Sequence, residues 1–360
     1  MFADWLAIPS AVSATLFLVG WCAGWLCFVR ARSLPHIRTS SANPTARSSI
    51  SVIIPCRNEA SNLLELLPNL RSLLSPADEI IVVDDDSDDD TDEVAQRHGV
   101  TVVAAGPLPQ GWAGKSHACW QGAQLATNDV LLFVDADVRV KSGAIDDLLA
   151  ELHRHPDAVV SAMPWHRTVG TVEKLSMLFN VVSALVASVG SEVRRPVAYG
   201  PFLAVNKKVY VRVGGHSHDS VRSAVVEDLA LARVMPSAVA TVADRHQVEY
   251  RMYPLGIAQL VEGWTKNTAI GAVQVPRASA VLIIAWIISL CGGPFTSVWC
   301  YVLTVGQLAV MARRFGNFGL LSSLTYPLHV TVFVTLALRS VLRSALLGRV
   351  DWRGRSVATR

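Results

Sequence analysis

From Ile50 to Val134 the chain alternates short apolar runs with helix-forming segments, and the runs end on polar side chains. Ser51 to Pro55 reads as a buried strand, Ala60 to Leu74 as a helix despite Pro68, and Glu79 to Val83 as a second strand. A helix over Thr91 to His98, a strand over Val100 to Ala104, a helix over Ser116 to Ala126 and a strand over Asp129 to Val134 follow. Alternation of this kind predicts right-handed crossovers and a mostly parallel sheet, an α/β fold. Ligands of such sheets bind beyond the carboxyl ends of the strands. Polar clusters fall at those ends: Arg57-Asn58-Glu59, Asp84-Asp85-Asp86 and Asp135-Ala136-Asp137.

The last cluster is the sharpest. An apolar strand that finishes on two carboxylates spaced i, i+2 needs something positive between them. Hard oxygen donors suit Mg²⁺ or Mn²⁺ shared with substrate phosphates; a solvated acidic turn is the competing reading. No GxGxxG or Walker loop follows the first strand, which argues against dinucleotide and P-loop chemistry. Asp84 and Asp85 instead offer acceptors for a base N–H and ribose hydroxyls. The acids from Asp88 to Asp92 suit the N-terminus of the following helix. Gly111-Trp-Ala-Gly114-Lys115-Ser116 opens the next helix, where Lys115 would bring positive charge to a diphosphate. His117 and His216 read more simply as structural histidines than as zinc ligands.

The 360 residues are 51% hydrophobic and 17% charged, with a mean hydropathy of +0.36, too apolar for a wholly soluble enzyme. A net charge of +3 gives no reason to expect a nucleic-acid partner. Six cysteines without CxxC spacing exclude a zinc set and a disulfide framework. Trp5 to Val29 is long enough to span a bilayer, at about 25 residues, and Arg30, Arg32 and Arg38 place its downstream side in the cytoplasm. Apolar runs over Val281 to Leu290 and Phe295 to Ala312, broken at Gly292-Gly293-Pro294 and closed by Arg313-Arg314, read as a membrane hairpin. Gly319 to Leu342 is a further membrane segment, crossing or re-entrant. Val172 to Val189 reads as an interfacial helix lying on the bilayer, with a core helix as the alternative; Gly256 to Ile270 is similar. The expected organisation is an anchor (residues 1–30), a linker (31–49), a cytosolic domain with interfacial helices (50–277), a membrane hairpin with a further segment (278–347) and a basic tail (348–360).

Several ordered motifs together resemble the family 2 glycosyltransferases of GT-A fold over Ile50 to about Ala272. They are Ser51-Val-Ile-Ile-Pro55-Cys-Arg57-Asn58-Glu59, Val83-Asp84-Asp85-Asp86-Ser87, Asp135-Ala-Asp137, Val213-Gly214-Gly215-His216 and Val226-Glu227-Asp228-Leu229. Asp86 stands where that family usually has glycine. Its Gln-x-x-Arg-Trp is imperfect, since Gln259 is followed by Glu262-Gly263-Trp264 without the arginine, which argues against a processive polysaccharide synthase. Finer details, Tyr199-Gly-Pro201 and Glu262-Gly-Trp264-Thr-Lys266 among them, look like the membrane glycosyltransferases of carotenoid acids.

The resemblance implies a Rossmann-like nucleotide-sugar-binding sheet plus transmembrane helices, and a UDP-sugar donor held by Pro55, Arg57, Asn58, Glu59, Asp84, Asp85, Lys115 and Asp135. It implies a divalent metal on Asp135 and Asp137, and a base at Asp228 or Glu227. Gly214, Gly215, His216 and Trp264 would lie on the acceptor side. The implied activity is an inverting, metal-dependent transfer of a hexose, glucose above others, to an isoprenoid-like lipid at the cell membrane. A polyprenyl-phosphate or hopanoid acceptor and a non-catalytic membrane scaffold are the other readings.

Overall fold

The computed structural model describes residues 10–37, 47–186, 197–224, 226–274, 277–347, 349–352 and 355–358. Residues 1–9 of the expected anchor, 38–46 of the expected linker and parts of the basic tail lie outside the described residues. The chain divides into two compact units, one of 33–164 and 191–250, the other of 1–32, 165–190 and 251–360. Residues 165–190 and 251–277, expected in the catalytic domain, thus cluster with the helical segments.

The strands before residue 251, in chain order, are β1 (Ile50–Cys56), β2 (Glu79–Asp84), β3 (Thr101–Ala104), β4 (Val130–Val134), β5 (Val138–Val140), β6 (Ala158–Met163), β7 (Trp165–His166), β8 (Phe202–Asn206), β9 (Ser237–Val242) and β10 (Val248–Tyr250). Seven of them form one sheet in the order β3-β2-β1-β4-β8-β6-β9. It is a mixed sheet. β1 pairs in parallel with β2 and β4, and β6 with β9, whereas β8 runs antiparallel to both β4 and β6. The carboxyl ends of β1, β2 and β4 therefore share one edge, and β8 begins at that edge, with Phe202 opposite Val134.

The central strands are buried on both faces, which is why they read as continuous apolar runs. Pro55 is tolerated in a central strand because the pairing of β1 with β4 stops at Ile53 opposite Phe133. The helix Gly114–Leu125 packs on β1 and β2 through Gly122, where an added Cβ would lie 2.5 Å from Ile53 Cγ2. Ser116 is buried in the first turn of that helix and donates to the Val221 carbonyl at 3.2 Å.

In the helical unit, Ala11–Arg30 is, among the described residues, the one helix long and apolar enough to cross a membrane; in the helix that starts at Arg277 the apolar stretch, Arg277–Gly293, is shorter. Two glycines one turn apart let Ala11–Arg30 approach Arg277–Thr296 closely. A Cβ on Gly20 would lie 2.3 Å from the Ala285 carbonyl oxygen, and one on Gly24 would lie 2.4 Å from the Trp286 ring. The buried Gln307 side chain joins three helices, accepting from Trp286 Nε1 at 2.8 Å and donating to the Trp21 carbonyl at 2.8 Å.

The expected break at Gly292-Gly293-Pro294 is displaced: the helix runs on to Thr296 and Ser297 caps the next one, Val298–Phe315. Pro327 falls in the first turn of Tyr326–Leu347, where its missing N–H has no helical partner to lose. Within residues 172–189 the helix Met177–Val186 has Met177, Leu178, Phe179, Val181, Ala184 and Leu185 buried. That burial favours the core-helix reading over a helix lying on a bilayer surface.

Candidate active site

The edge where β1, β2 and β4 end carries the donor-side candidates. The main chain after β1 turns at Asn58, which has φ +56° and whose amide donates to Ser87 Oγ at 2.9 Å. Its side-chain carbonyl accepts from the Asp88 amide at 2.7 Å. Arg57 Nη1 donates to the Asp85 carbonyl at 2.8 Å. The two loops thereby brace each other. Asp86 adopts φ +60°, the left-handed conformation that glycine takes freely, so the departure from the family pattern preserves the turn at a small backbone cost. Asp84 accepts from the Ser87 hydroxyl, and Asp85 is buried. Glu59 precedes the helix Ala60–Arg71 and accepts from Asn62 Nδ2 at 2.7 Å.

The chemistry-bearing groups converge on a narrow cavity lined by Pro55, Lys115, Cys119, Phe133, Asp135, Gly200, Leu203, His216, Glu227 and Asp228. Lys115 Nζ lies 2.8 Å from Asp135 Oδ1 and 3.0 Å from Oδ2, and 2.9 Å from Glu227 Oε1. Burial pushes the ammonium down, but Asp135 and Glu227 override it and hold Lys115 charged, well above its ordinary range. Asp228 Oδ2 accepts from the Gly200 amide at 2.6 Å and Oδ1 from the Leu229 amide at 2.8 Å. Burial, and then the neighbouring Glu227 charge, push Asp228 up to about 7 against the opposing pull of Lys115. Asp228 is therefore poised to titrate near neutral pH, a property common at catalytic sites.

His216 lines the same cavity, while the glycines before it serve the backbone. Gly214 and Gly215 have φ of +84° and +48°, and a Cβ on Gly215 would lie 2.3 Å from the Tyr210 ring. The Tyr210 hydroxyl accepts from the His216 amide at 3.1 Å and sits 2.8 Å from Nδ1. Burial lowers the imidazole to about 4, so the ring is neutral. A Tyr210 hydroxyl that donates to Nδ1 leaves the ring proton on Nε2. His117, by contrast, is buried edge-on to Trp112, and burial lowers its pKa against the opposing pull of Asp85.

Trp264 does not line the cavity. It is buried in the helical unit, stacked on Phe179 at 4.5 Å and donating to Ser176 Oγ at 3.0 Å. Gly200 and Cys119 also line the cavity; in the sequence only the Tyr199-Gly-Pro201 motif signals the first of them.

Asp135 and Asp137 are half-buried on the turn between β4 and β5. The Asp137 charge, after burial itself, pushes the Tyr250 phenol up. The donor set fits a divalent cation: two hard carboxylates, both half open to solvent. Among the described residues no third carboxylate, imidazole or thiol joins them as a cluster. That leaves coordination positions for substrate phosphates, the usual arrangement for Mg²⁺ and Mn²⁺.

Residues 51–211 match the family model "Glycosyl transferase family 2". The chain is 30% identical, over 98% of its length and 97% of the relative's, to the 4,4'-diaponeurosporenoate glycosyltransferase of Staphylococcus aureus (strain USA300). The protein of the same name from Staphylococcus haemolyticus (strain JCSC1435) is 29% identical over 92% of this chain and 94% of its own. A mannosyltransferase from Pyrobaculum calidifontis, solved with GDP-Man and Mn²⁺, shares the fold with a TM-score of 0.57 at 16% identity, covering 92% of this chain and 98% of that one. A mixed α/β sheet of this order, the ordered motifs at its edge and the full-length likeness lead to one conclusion: the chain belongs to the family 2 glycosyltransferases.

Proposed function

We propose that the protein is a membrane-bound, inverting hexosyltransferase that moves a sugar, glucose above others, from a UDP-sugar to an isoprenoid lipid acid of the carotenoid type. The observation that carries this reading is the cluster of Lys115, Asp135, Glu227 and Asp228 around one cavity at the sheet edge. The name of the staphylococcal relatives supports a carboxylate acceptor. The helix Ala11–Arg30 and the apolar helix after Arg277 support membrane attachment, with the sheet unit on the cytoplasmic side.

Pro55, Arg57, Asn58, Glu59, Asp84 and Asp85 would hold the nucleoside. Asp135 and Asp137 would hold a divalent cation, which when bound neutralises the diphosphate and eases its departure. Lys115 keeps a fixed positive charge beside the same oxygens, placed before the reaction begins. The acceptor oxygen forms its bond to the anomeric carbon from the face opposite the diphosphate, and the bond to the β-phosphate oxygen breaks, releasing UDP. Glu227 is tied to the Lys115 ammonium, so Asp228 is the better base of the pair. A hydroxyl acceptor would hand its proton to Asp228. A carboxylate acceptor is already ionised near neutral pH and has none to give. Gly214 and Gly215 shape the turn before His216, whose neutral ring lines the cavity and would serve the transfer as a hydrogen-bond donor.

The test is incubation of membranes with radiolabelled UDP-glucose, Mn²⁺ and a carotenoid acid, followed by thin-layer separation and mild alkali. A sugar ester is cleaved by alkali and a glycoside is not. Label appearing only in an alkali-stable product would overturn the acid acceptor; no labelled lipid and no UDP release would overturn the transferase reading altogether.

A further inference from the structure

We infer that a cleft in the helical unit, between the helices Ile257–Gln274 and Tyr326–Leu347, binds the headgroup of an anionic phospholipid. The inference rests on the membrane reading above and reaches beyond it to a second ligand.

The cleft is a cavity of about 320 Å³, lined by residues that include Ile257, Val261, Glu262, Thr265, Arg339 and Arg343. That volume lies at the lower end for small-molecule sites. Ile257, Val261 and Thr265 recur at helical spacing and so share one face; Arg339 and Arg343 do the same on the opposing helix. The two helices are joined where the Ser340 hydroxyl donates to the Thr265 carbonyl. The site is amphipathic, with an aliphatic wall beneath two guanidiniums. Two positive charges face one carboxylate, so its net sign selects an anion. Among the described residues neither Arg339 nor Arg343 makes an ion pair or hydrogen bond.

A second observation points to a ligand. Thr265 is 2% exposed, and its Oγ1 has no hydrogen-bond partner among the described residues. A buried hydroxyl left unpaired is costly, and it belongs to a residue of the cleft wall. The surroundings identify the class of anion. Leu338, Val341 and Leu342, which interleave with the two arginines, are all more than half exposed. Arginine on an apolar helix face of this kind buries its stem and presents its head at the level of lipid phosphates. A free phosphate would make no use of the aliphatic wall.

The test uses the full-length protein, extracted in mild detergent and stripped of lipid by exchange. It is then titrated with phosphatidylglycerol or phosphatidylcholine, and bound lipid is counted by native mass spectrometry. The wild type is expected to retain phosphatidylglycerol in preference. The Arg339→Gln/Arg343→Gln variant should bind it about tenfold more weakly or worse. Arg339→Lys/Arg343→Lys should keep most of the binding, and Glu262→Gln should tighten it, so the inference remains open to refutation if the glutamine pair fails to fold. Equal retention of the two lipids, or no change in the glutamine pair with no gain in Glu262→Gln, overturns it. Displacement of the lipid by millimolar inorganic phosphate also overturns it, by revealing a simple anion site. Failure of the membrane reading is separately visible, because the protein would then stay in the supernatant when lysate is centrifuged, before any lipid is added.

Discussion

Lys115 Nζ bridges to Asp135 at 2.8 Å, and the same ammonium reaches Glu227 at 2.9 Å, so one cation links the helix after the glycine-rich loop to both acidic motifs. A positive charge clamped in this way costs no reorganisation when the leaving diphosphate develops its own charge. Lys115→Met is expected to lower kcat on the order of 10²–10³-fold. Initial rates of UDP release from protein with an unchanged circular dichroism spectrum check it.

Asp135→Asn and Asp137→Asn should each remove the Mn²⁺ dependence of nucleotide binding. Calorimetric titration of UDP with and without Mn²⁺ reads this directly. The wild type should bind more tightly with the ion and each variant should be indifferent to it. Chelation of the wild type should reproduce the variants.

Asp228 gives a prediction in stability rather than rate. Its folded-state value, about 7, lies above the ordinary 3.8, so between those two values the folded state holds a proton that the unfolded chain has released. Stability contributed by this group is present at low pH and is lost as pH rises through about 7. Asp228→Asn abolishes that loss. The variant should therefore be more stable than wild type at pH 8, by an amount of the order of 1–4 kcal/mol. Thermal unfolding across pH checks it, and the advantage should vanish near pH 4. With a carboxylate acceptor its turnover should fall by less than about tenfold, because there is no proton to remove.

Gly24→Leu tests the close helix contact. The first atom added would lie 2.4 Å from the Trp286 ring, and overpacking of this kind typically costs about 1–3 kcal/mol. Detergent-solubilised protein should show a lowered Tm, whereas Gly306→Ala, where an added Cβ meets nothing within 4 Å, should leave it nearly unchanged.

The parallel half of the sheet was legible because its strands are buried on both faces and end on polar groups, as with Ile50–Cys56 and Glu79–Asp84. The antiparallel strand β8 was not. Phe202 to Asn206 is a short apolar run like any other, and its direction is decided by partners distant in sequence. The ion pair between Lys115 and Glu227 was hidden for the same reason, although each residue stood out alone. In the sequence the Gly214-Gly215 pair looks the same whether it makes room for a ligand or, as at Gly215, for the Tyr210 ring. Trp264 was drawn to the site by its motif, and its aromatic neighbours Phe179 and Tyr253 claim it for the interior instead.

The reversed direction of β8 has a mechanical consequence. Since Gly200 sits just ahead of that strand and its amide grips Asp228, the alignment of β8 against β4 also sets the orientation of the acidic side chain. A slide of one residue would turn Phe202 and Ala204 out of their apolar beds and pull the amide away from the carboxylate together. Errors in strand assembly would thus disarm the enzyme rather than leave a misassembled but working catalyst.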